Sequence, residues 1–374
     1  MSAVCYVLLD YPVLSQTFVH DEIRALRDRG VDVHVVNLEG AGGDLPLRAH
    51  RARSWWTLAH VARLLARRPQ AIGALARGPL TFGFRLRLLA AAEVARRRGV
   101  RAVHAHFAYR SADAAEVIGR SLGTGHSLTA HARDLFVPEG DVSHRLRAAA
   151  CVVTVCEYNR RWIEQHHGDA GPVVVIPAST DLGRPPPPPV PRAAPTIITV
   201  GRLVEKKGMD VVLAACARLT GRWRLVVVGD GPEEATLRRQ AEALGIADRV
   251  RFAGARDHEE TIRAIAEADV FCGAYRVARD GDRDSMPVVV KEAMAAGRPV
   301  VATDVVAVGE MVDDGASGVL VPPDEPAAMA EALERLLADR CLRASMGARG
   351  RQIVEERFDL ARQAERLHRE VFAC

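Results

Sequence analysis

Residues 196–210, TIITVGRLVEKKGMD, decide how the chain is read. Five β-branched residues, Thr196 to Val200, lead to Gly201, and Arg202 follows at once. Lys206 and Lys207 stand immediately before Gly208, where an amphipathic helical pattern begins. A strand that ends on glycine and hands over to a helix start is the recurring unit of a doubly wound α/β sheet. The strand-end arginine and the helix-start lysine converge on one anion, because both are charged at any working pH and the helix N-terminus adds its own positive end. A diphosphate fits that description, and such groups stabilise its charge as it departs.

Outward from this stretch the same rhythm repeats. In the first half, AVCYVLLD, VDVHVVNL, VRAVHAHF, HSLTA, CVVTV and PVVVIP read as strands with helix-length segments between them. TFVHDEIRALRDRG is one such helix, ending at Gly30. In the second half, TIITVGRL, WRLVVVGDG, RVRFAGA, ADVFCGAY, PVVATDV and GVLVPP read as strands. Between the halves lies ASTDLGRPPPPPVPRAAP, whose five prolines Pro185 to Pro189 belong in neither a helix nor a central strand. The expected organisation is a first domain over 1–178, a proline-rich linker over 179–195 and a second domain over 196–357. The fold class is α/β, two doubly wound domains facing each other across a cleft, and 374 residues suit two cores better than one.

Composition narrows the function. A hydrophobic fraction of 48% with 26% charged residues is that of an ordinary globular protein, and a formal charge of +4 gives no reason to expect nucleic acid. No apolar run reaches the ~20 residues that span a bilayer. MSAVCYVLLDYPVLS reads as a first strand without a basic leader, so a cytoplasmic protein is expected. Seven scattered cysteines without metal-type spacing fit reduced thiols. Residues 51–101 carry many arginines among leucines and alanines, including Arg63, Arg67, Arg68, Arg77, Arg85 and Arg87, opened by Trp55 and Trp56. Two readings stand for this segment: a solvated helical face, or peripheral contact with an anionic membrane surface.

Further groups gather where strands end. In ARDGDRDSMPVVVKEAMAAGRPVVATD, Pro287 suits a helix start and Gly297 its close. The amides near Ser285, Met286, Pro287, Val288 and Val289 favour phosphate. Asp284 lies eight positions before Glu292, a carboxylate in apolar company that a ribose diol would satisfy. DGDRD holds two overlapping Asp-x-Asp triplets, but no other ligand spacing accompanies them, and no metal is expected. LVVVGDGPEEATLRRQ has Gly229 and Gly231 but Glu234 at the third glycine's place, which weakens a dinucleotide reading and leaves a tight turn beneath a nucleotide base. In the first half His131 ends a strand on the cleft side, as His104 and His106 do. Those two alternate on one face, open to a metal or, more simply, to packing and hydrogen bonds. Ser15, Gln16 and Thr17 occupy the first strand-to-helix loop and, with His106, form the expected acceptor side.

Taken together these segments resemble the retaining glycosyltransferases of family 4, which have the GT-B fold. The resemblance runs nearly end to end, through YPVLSQTFVHDEIRAL, HAHFA, SLTAHARDLF, VTVCEYNR, GRLVEKKG, VVGDGPEEATLR, DGDRDSMPVVVKEAMAAGRPVVATD and GVLVPP. It implies transfer of a hexose-type sugar from a nucleoside-diphosphate donor, UDP or GDP, to a hydroxyl of a polysaccharide, lipid-linked or small natural-product acceptor, with no cofactor. Arg202 and Lys207 would bind the diphosphate, Glu292 the ribose, Asp284 the transferred sugar, and His131 that sugar or its phosphate. Gly201, Gly229 and Gly231 would line the donor site. The last helix, 358–374, would pack back on the first domain. Three departures are visible. PVLSQTF replaces a glycine-rich first loop, Ala178-Ser179-Thr180-Asp181 stands where Asn-Gly-Val-Asp is frequent, and Ser285 replaces a glycine. A silent sugar-nucleotide-binding protein and a nicotinamide-dependent oxidoreductase are the alternatives.

Overall fold

A computed structural model describes residues 3–13, 17–40, 42–46, 54–75, 79–182 and 194–373. The chain forms two compact units. The first comprises Met1–Pro177 together with Leu360–Cys374, and the second Ala178–Asp359. Pro185 to Pro189, Ser15 and Gln16 lie outside the described residues.

The first unit holds strands β1 (Ala3–Leu8), β2 (Asp32–Asn37), β3 (Leu45–Pro46), β4 (Val100–His106), β5 (Ser127–Ala130), β6 (Cys151–Thr154) and β7 (Val173–Val175). Its helices are α1 (Thr17–Asp28), α2 (Ser54–Arg67), α3 (Phe82–Arg97), α4 (Arg110–Leu122), α5 (Ala132–Phe136), α6 (Val142–Ala148) and α7 (Glu157–His166). All pairings are parallel, in the order β3-β2-β1-β4-β5-β6-β7. The second unit holds β8 (Thr196–Val200), β9 (Arg224–Val228), β10 (Val250–Phe252), β11 (Val270–Gly273), β12 (Val300–Thr303) and β13 (Gly318–Val321). Its helices are α8 (Met209–Cys216), α9 (Glu234–Ala243), α10 (His258–Glu267), α11 (Val288–Ala295), α12 (Pro326–Ala338) and α13 (Arg340–Arg357). This sheet is also parallel, in the order β10-β9-β8-β11-β12-β13.

Parallel strands with helices on both faces are buried on both sides, which is why they read as unbroken apolar runs. In β1 every residue is buried, and the alternation of side chains sends them into two cores. Ala3, Cys5 and Val7 pack towards α2, α3 and α4. Val4, Tyr6 and Leu8 pack with Val19, Ile23 and Leu26 of α1 and with Ala364, Leu367 and Phe372. The last three come from α14 (Leu360–Leu367) and the single π-turn His368–Phe372 that follows it. The C-terminal segment thus completes the first unit's core, and Arg29–Glu365 (2.8 Å) and Arg366 Nη2 to Val175 O (3.2 Å) fasten it. It is shorter than the sequence suggests, beginning at Leu360 after a cap at Phe358, and its final turn is wider than α.

The region expected as a linker starts inside the second unit. Thr180 N–H donates to Phe358 O (3.2 Å), and Lys291, fully buried on α11, donates to Ala178 O with the Phe358 ring beside its ammonium. In each sheet the strand order reverses once, between β1 and β4 and between β8 and β11. The carboxyl ends of those strand pairs open the crevice where doubly wound sheets take ligands.

Candidate active site

The second unit's crevice is built on backbone that only glycine permits. Gly229 has φ +129°, and a Cβ there would lie 2.0 Å from Gly201 O. Gly231 has φ +155°, with a Cβ 2.5 Å from Leu203 O. The ends of β8 and β9 therefore press together, closed by Gly201 N–H to Val228 O (3.0 Å) and Leu203 N–H to Asp230 O (2.7 Å). Gly201 itself leaves room for Lys207, whose Cε would lie 3.1 Å from an added Cβ.

Lys207 closes a short turn, Glu205–Lys207, before Gly208 caps α8 in the left-handed region. Its Nζ lies 2.6 Å from Asp284 Oδ2 and 5.2 Å from the Tyr275 ring centre. Lys206 Nζ reaches Asp282 Oδ1 (3.1 Å) and Asp284 Oδ1 (3.2 Å). Burial acts to raise the Asp284 pKa, but Lys207 and Lys206 outweigh it and hold the carboxyl below the ordinary carboxylate range. Burial likewise acts to lower the Lys206 pKa, and Asp284 and Asp282 reverse this and raise it. Two lysines and two aspartates thus form one compact cluster at the reversal between β8 and β11. Arg202 is exposed, and its guanidinium has no partner among the described residues.

The Asp-x-Asp triplets owe two of their carboxylates to these lysines. Among the described residues they form no metal-type cluster. Ser285 and Met286 are buried, Pro287 is the N-cap of α11, and Val288 begins the helix. The expected helix start is displaced by one residue from Pro287. Glu292 is 8% exposed and faces His258 Nδ1 at 3.6 Å. His258 was not singled out, because the first residue of α10 meets α11 only through packing. Tyr275 was also missed. It is fully buried after β11, and Thr303 Oγ1 holds its carbonyl at 2.5 Å.

In the first unit the crevice residues are aromatic. His106 Nδ1 lies 3.2 Å from His131 Nε2, and His106 Nε2 lies 2.9 Å from Glu22 Oε1. Tyr6 Oη donates to the same oxygen at 2.7 Å. His104, expected to share a face with His106, has both ring nitrogens in use, on Ser127 Oγ (2.8 Å) and Thr129 Oγ1 (2.9 Å). Ligand atoms of Glu22, His104 and His106 lie within 4.8 Å of one another, so these residues are the described group that would suit a metal. Burial, and next His106, push the His131 pKa down to about 3, against the pull of Glu22. Asp134 accepts from the amides of His131 (3.0 Å) and Ala108 (2.9 Å), yet burial raises its pKa to about 7. Phe107, a non-glycine with φ +70°, directly follows β4 with its ring 4.6 Å from that of His131. Such an outlier marks stored strain, which concentrates at functional sites. Thr17 begins α1. Glu22 and Tyr6 were not singled out in the sequence.

Two family models cover the chain side by side: "Glycosyltransferase Family 4" over residues 15–184 and "Glycosyl transferases group 1" over 186–353. The chain belongs to the GT-B glycosyltransferase superfamily. Among its relatives, an alpha-D-kanosaminyltransferase of Streptomyces kanamyceticus is 33% identical over 46% of this chain and 44% of its own. The putative colanic acid biosynthesis glycosyltransferase WcaL of Escherichia coli K12 is 28% identical over 88% of this chain and 89% of its own. The chain matches 22% to 61% of the length of several other curated relatives. Anabaena HepE, solved in complex with UDP, superposes with a TM-score of 0.74 at 18% identity, covering 100% of both chains. That likeness confirms the GT-B fold.

Proposed function

We propose that this GT-B protein transfers a hexose-type sugar from a nucleoside diphosphate, UDP or GDP, to an acceptor hydroxyl with retention at the anomeric carbon. The observation that carries the reading is the lysine–aspartate cluster at the β8/β11 reversal, with Lys207 beside Asp284. In the proposed step the bond from the anomeric carbon to the phosphate oxygen breaks and the bond to the acceptor oxygen forms on the same face. The acceptor proton passes to the departing phosphate. Lys207, joined by Arg202, offsets the charge that accumulates on that phosphate, and Asp284 orients Lys207 and meets the transferred sugar. The N–H groups of Ser285, Met286 and Val288, flanking Pro287 at the start of α11, take the diphosphate's remaining oxygens, and Glu292 holds the ribose. Gly201, Gly229 and Gly231 give the nucleotide its close approach. No cofactor or metal enters this scheme. Names of the relatives support sugar nucleotides as donors, among them a GDP-mannose-dependent mannosyltransferase of Mycobacterium tuberculosis.

In this reading the acceptor side is His106 with the loop of Ser15, Gln16 and Thr17, and His131 meets the transferred sugar or its phosphate. The protein works at the inner face of a membrane in this reading. Support comes from Trp55 (69% exposed), Leu58 (60%), Ile72 (61%) and Phe82 (62%), four exposed apolar side chains within the arginine-rich segment. Among the described residues no helix is long and apolar enough to cross a membrane.

The test is a thermal-shift screen against UDP, GDP and dTDP with their sugars, followed by turnover of the stabilising donor by wild type and Lys207→Ala. A donor at 100 times its dissociation constant adds about 2.7 kcal/mol. Loss of Lys207 should lower turnover on the order of a hundredfold. Silence across the panel, or an undiminished Lys207→Ala enzyme, refutes the reading.

A further inference from the structure

Four residues far apart in sequence, Tyr6 on β1, Glu22 on α1, His106 on β4 and His131 after β5, are joined by three successive hydrogen bonds in the first unit. The ends of this chain admit one arrangement of protons. At one end, an ionised Glu22 only accepts. Burial would raise its pKa, but His106 and Tyr6 bring it below the ordinary carboxylate range. Its Oε1 therefore takes Tyr6 O–H at 2.7 Å and the Nε2–H of His106 at 2.9 Å. At the other end, His131 and Asp134 stand in a capping-box arrangement at the start of α5: the His131 amide donates to Asp134 Oδ2 at 3.0 Å, and the Asp134 backbone amide, which only donates, faces the His131 ring and favours an unprotonated nitrogen there. Nε2 of His131 is turned to His106, which leaves Nδ1 for the amide. The contact between the rings, 3.2 Å, holds one proton. With the Nε2 of His106 protonated, its Nδ1 is the acceptor, and His131 Nε2–H is the donor.

We propose that Tyr6, Glu22, His106 and His131 form one polarised relay that fixes His131 as the neutral tautomer protonated on Nε2, which makes Glu22 a positioning residue for that imidazole. The proposal rests on the reading of His131 as a wall of the sugar site. Its chemical consequence is specific. Both nitrogens of His131 are committed, so the ring has no lone pair for an acceptor hydroxyl and is not the general base. What it presents is a neutral edge and face, flanked by the rings of Phe18 at 5.0 Å and Phe107 at 4.6 Å. The acceptor proton goes to the departing phosphate. An imidazolium at His106 would reverse the His106–His131 bond, put the proton on Nδ1 of His131 and break the cap. The titratable groups packed around the relay are Glu22 from α1, Tyr6 from β1, His104 from β4 and Asp134 from α5, while Phe372 closes it with an apolar ring 6.0 Å from Tyr6 and 5.3 Å from His104. His104, whose nitrogens rest on two hydroxyls, is kept neutral by burial.

The experiment uses the full-length protein labelled with ¹⁵N. Long-range ¹H–¹⁵N histidine spectra, assigned by replacing each histidine in turn, are recorded from pH 5.5 to 8. His131 should remain neutral with its proton on Nε2 throughout, and His106 should carry a proton on Nε2. Glu22→Gln keeps an oxygen acceptor and should preserve both tautomers and turnover. Glu22→Leu removes it, frees the His106 proton to move to Nδ1, and should lower kcat about tenfold with the donor KM little changed, as orienting partners of active-site histidines do. A His131 that carries its proton on Nδ1, or that titrates within this range, overturns the proposal. So does a Glu22→Leu protein with unchanged tautomers and unchanged kcat, or zinc binding that replaces the relay signals in the wild type. If Glu22→Leu fails to fold, the wild-type and Glu22→Gln spectra decide alone. Expected tautomers in a protein that turns over no sugar nucleotide leave the relay standing and remove the functional reading.

Discussion

Replacing Asp284 with asparagine separates holding the lysines from serving the donor. In the wild type, Asp284 neutralises two ammonium groups, Lys207 at 2.6 Å and Lys206 at 3.2 Å. Lys206 keeps Asp282 at 3.1 Å after the change, so its loss is partial. Lys207 keeps only the face of Tyr275 at 5.2 Å. Breaking a fully buried pair costs 3–5 kcal/mol and an exposed one under 1. The three side chains here are 16%, 17% and 19% exposed, which places the cost between those limits, at about 2–3 kcal/mol. For a unit of this size that corresponds to a fall in Tm of about 4–12 °C. The sign with pH is fixed by the lowered pKa of Asp284 in the folded state. A carboxylate of that kind stabilises above its unfolded pKa and loses this contribution as pH falls through its folded value. The gap between wild type and Asp284→Asn should therefore be full at pH 7 and close in acid below the ordinary carboxylate range. A nucleoside diphosphate should stabilise the variant at least as much as the wild type, because it meets an unpaired ammonium, while sugar transfer falls. Melting curves from pH 7 down to about pH 2, with and without UDP or GDP, read all of this. A variant that melts within a degree of wild type at pH 7, or that loses nucleotide stabilisation altogether, refutes the account of the cluster.

Three further outcomes follow from named contacts. Gly229→Ala should destabilise the second unit by roughly 2–4 kcal/mol in urea titration, since a Cβ meets Gly201 O at 2.0 Å in a backbone conformation that alanine resists. Glu292→Gln should weaken nucleotide binding by calorimetry roughly ten- to a hundredfold, the range for hydrogen bonds to a charged group, with little change for free sugar. Asp134→Asn should gain on wild type as pH rises from 4 to 7. Burial raises the Asp134 pKa to about 7, so the wild type is favoured while that carboxyl is protonated and loses stability as pH climbs through the folded value. Urea midpoints at pH 5 and 7.5 check this, and parallel curves would contradict it.

What the sequence made legible is what the chain encodes locally. Twelve apolar runs marked twelve of the strands, because strands buried on both faces carry no alternation to confuse with a helix. Leu45–Pro46 went unread, since two residues beside a turn leave no pattern. Gly201 and Lys207 were legible as a strand-end glycine and a helix-start lysine, and the structure adds the packing that calls for glycine at 229 and 231 beside them. What was not legible is which charge faces which. Lys206 and Lys207 meet Asp282 and Asp284, some 76 positions on, only because β11 crosses to lie beside β8. Strand order is a property of the whole sheet and leaves no local mark. The same holds for Glu22, an ordinary acidic residue in an amphipathic helix until α1 packs against β4 and its carboxylate meets His106. A histidine at a strand end announces a site, but its proton is placed by partners drawn from the other elements of the fold. For His131 those partners are an amide that must donate and a carboxylate that must accept, and between them they leave the imidazole no nitrogen with which to take a proton from an acceptor.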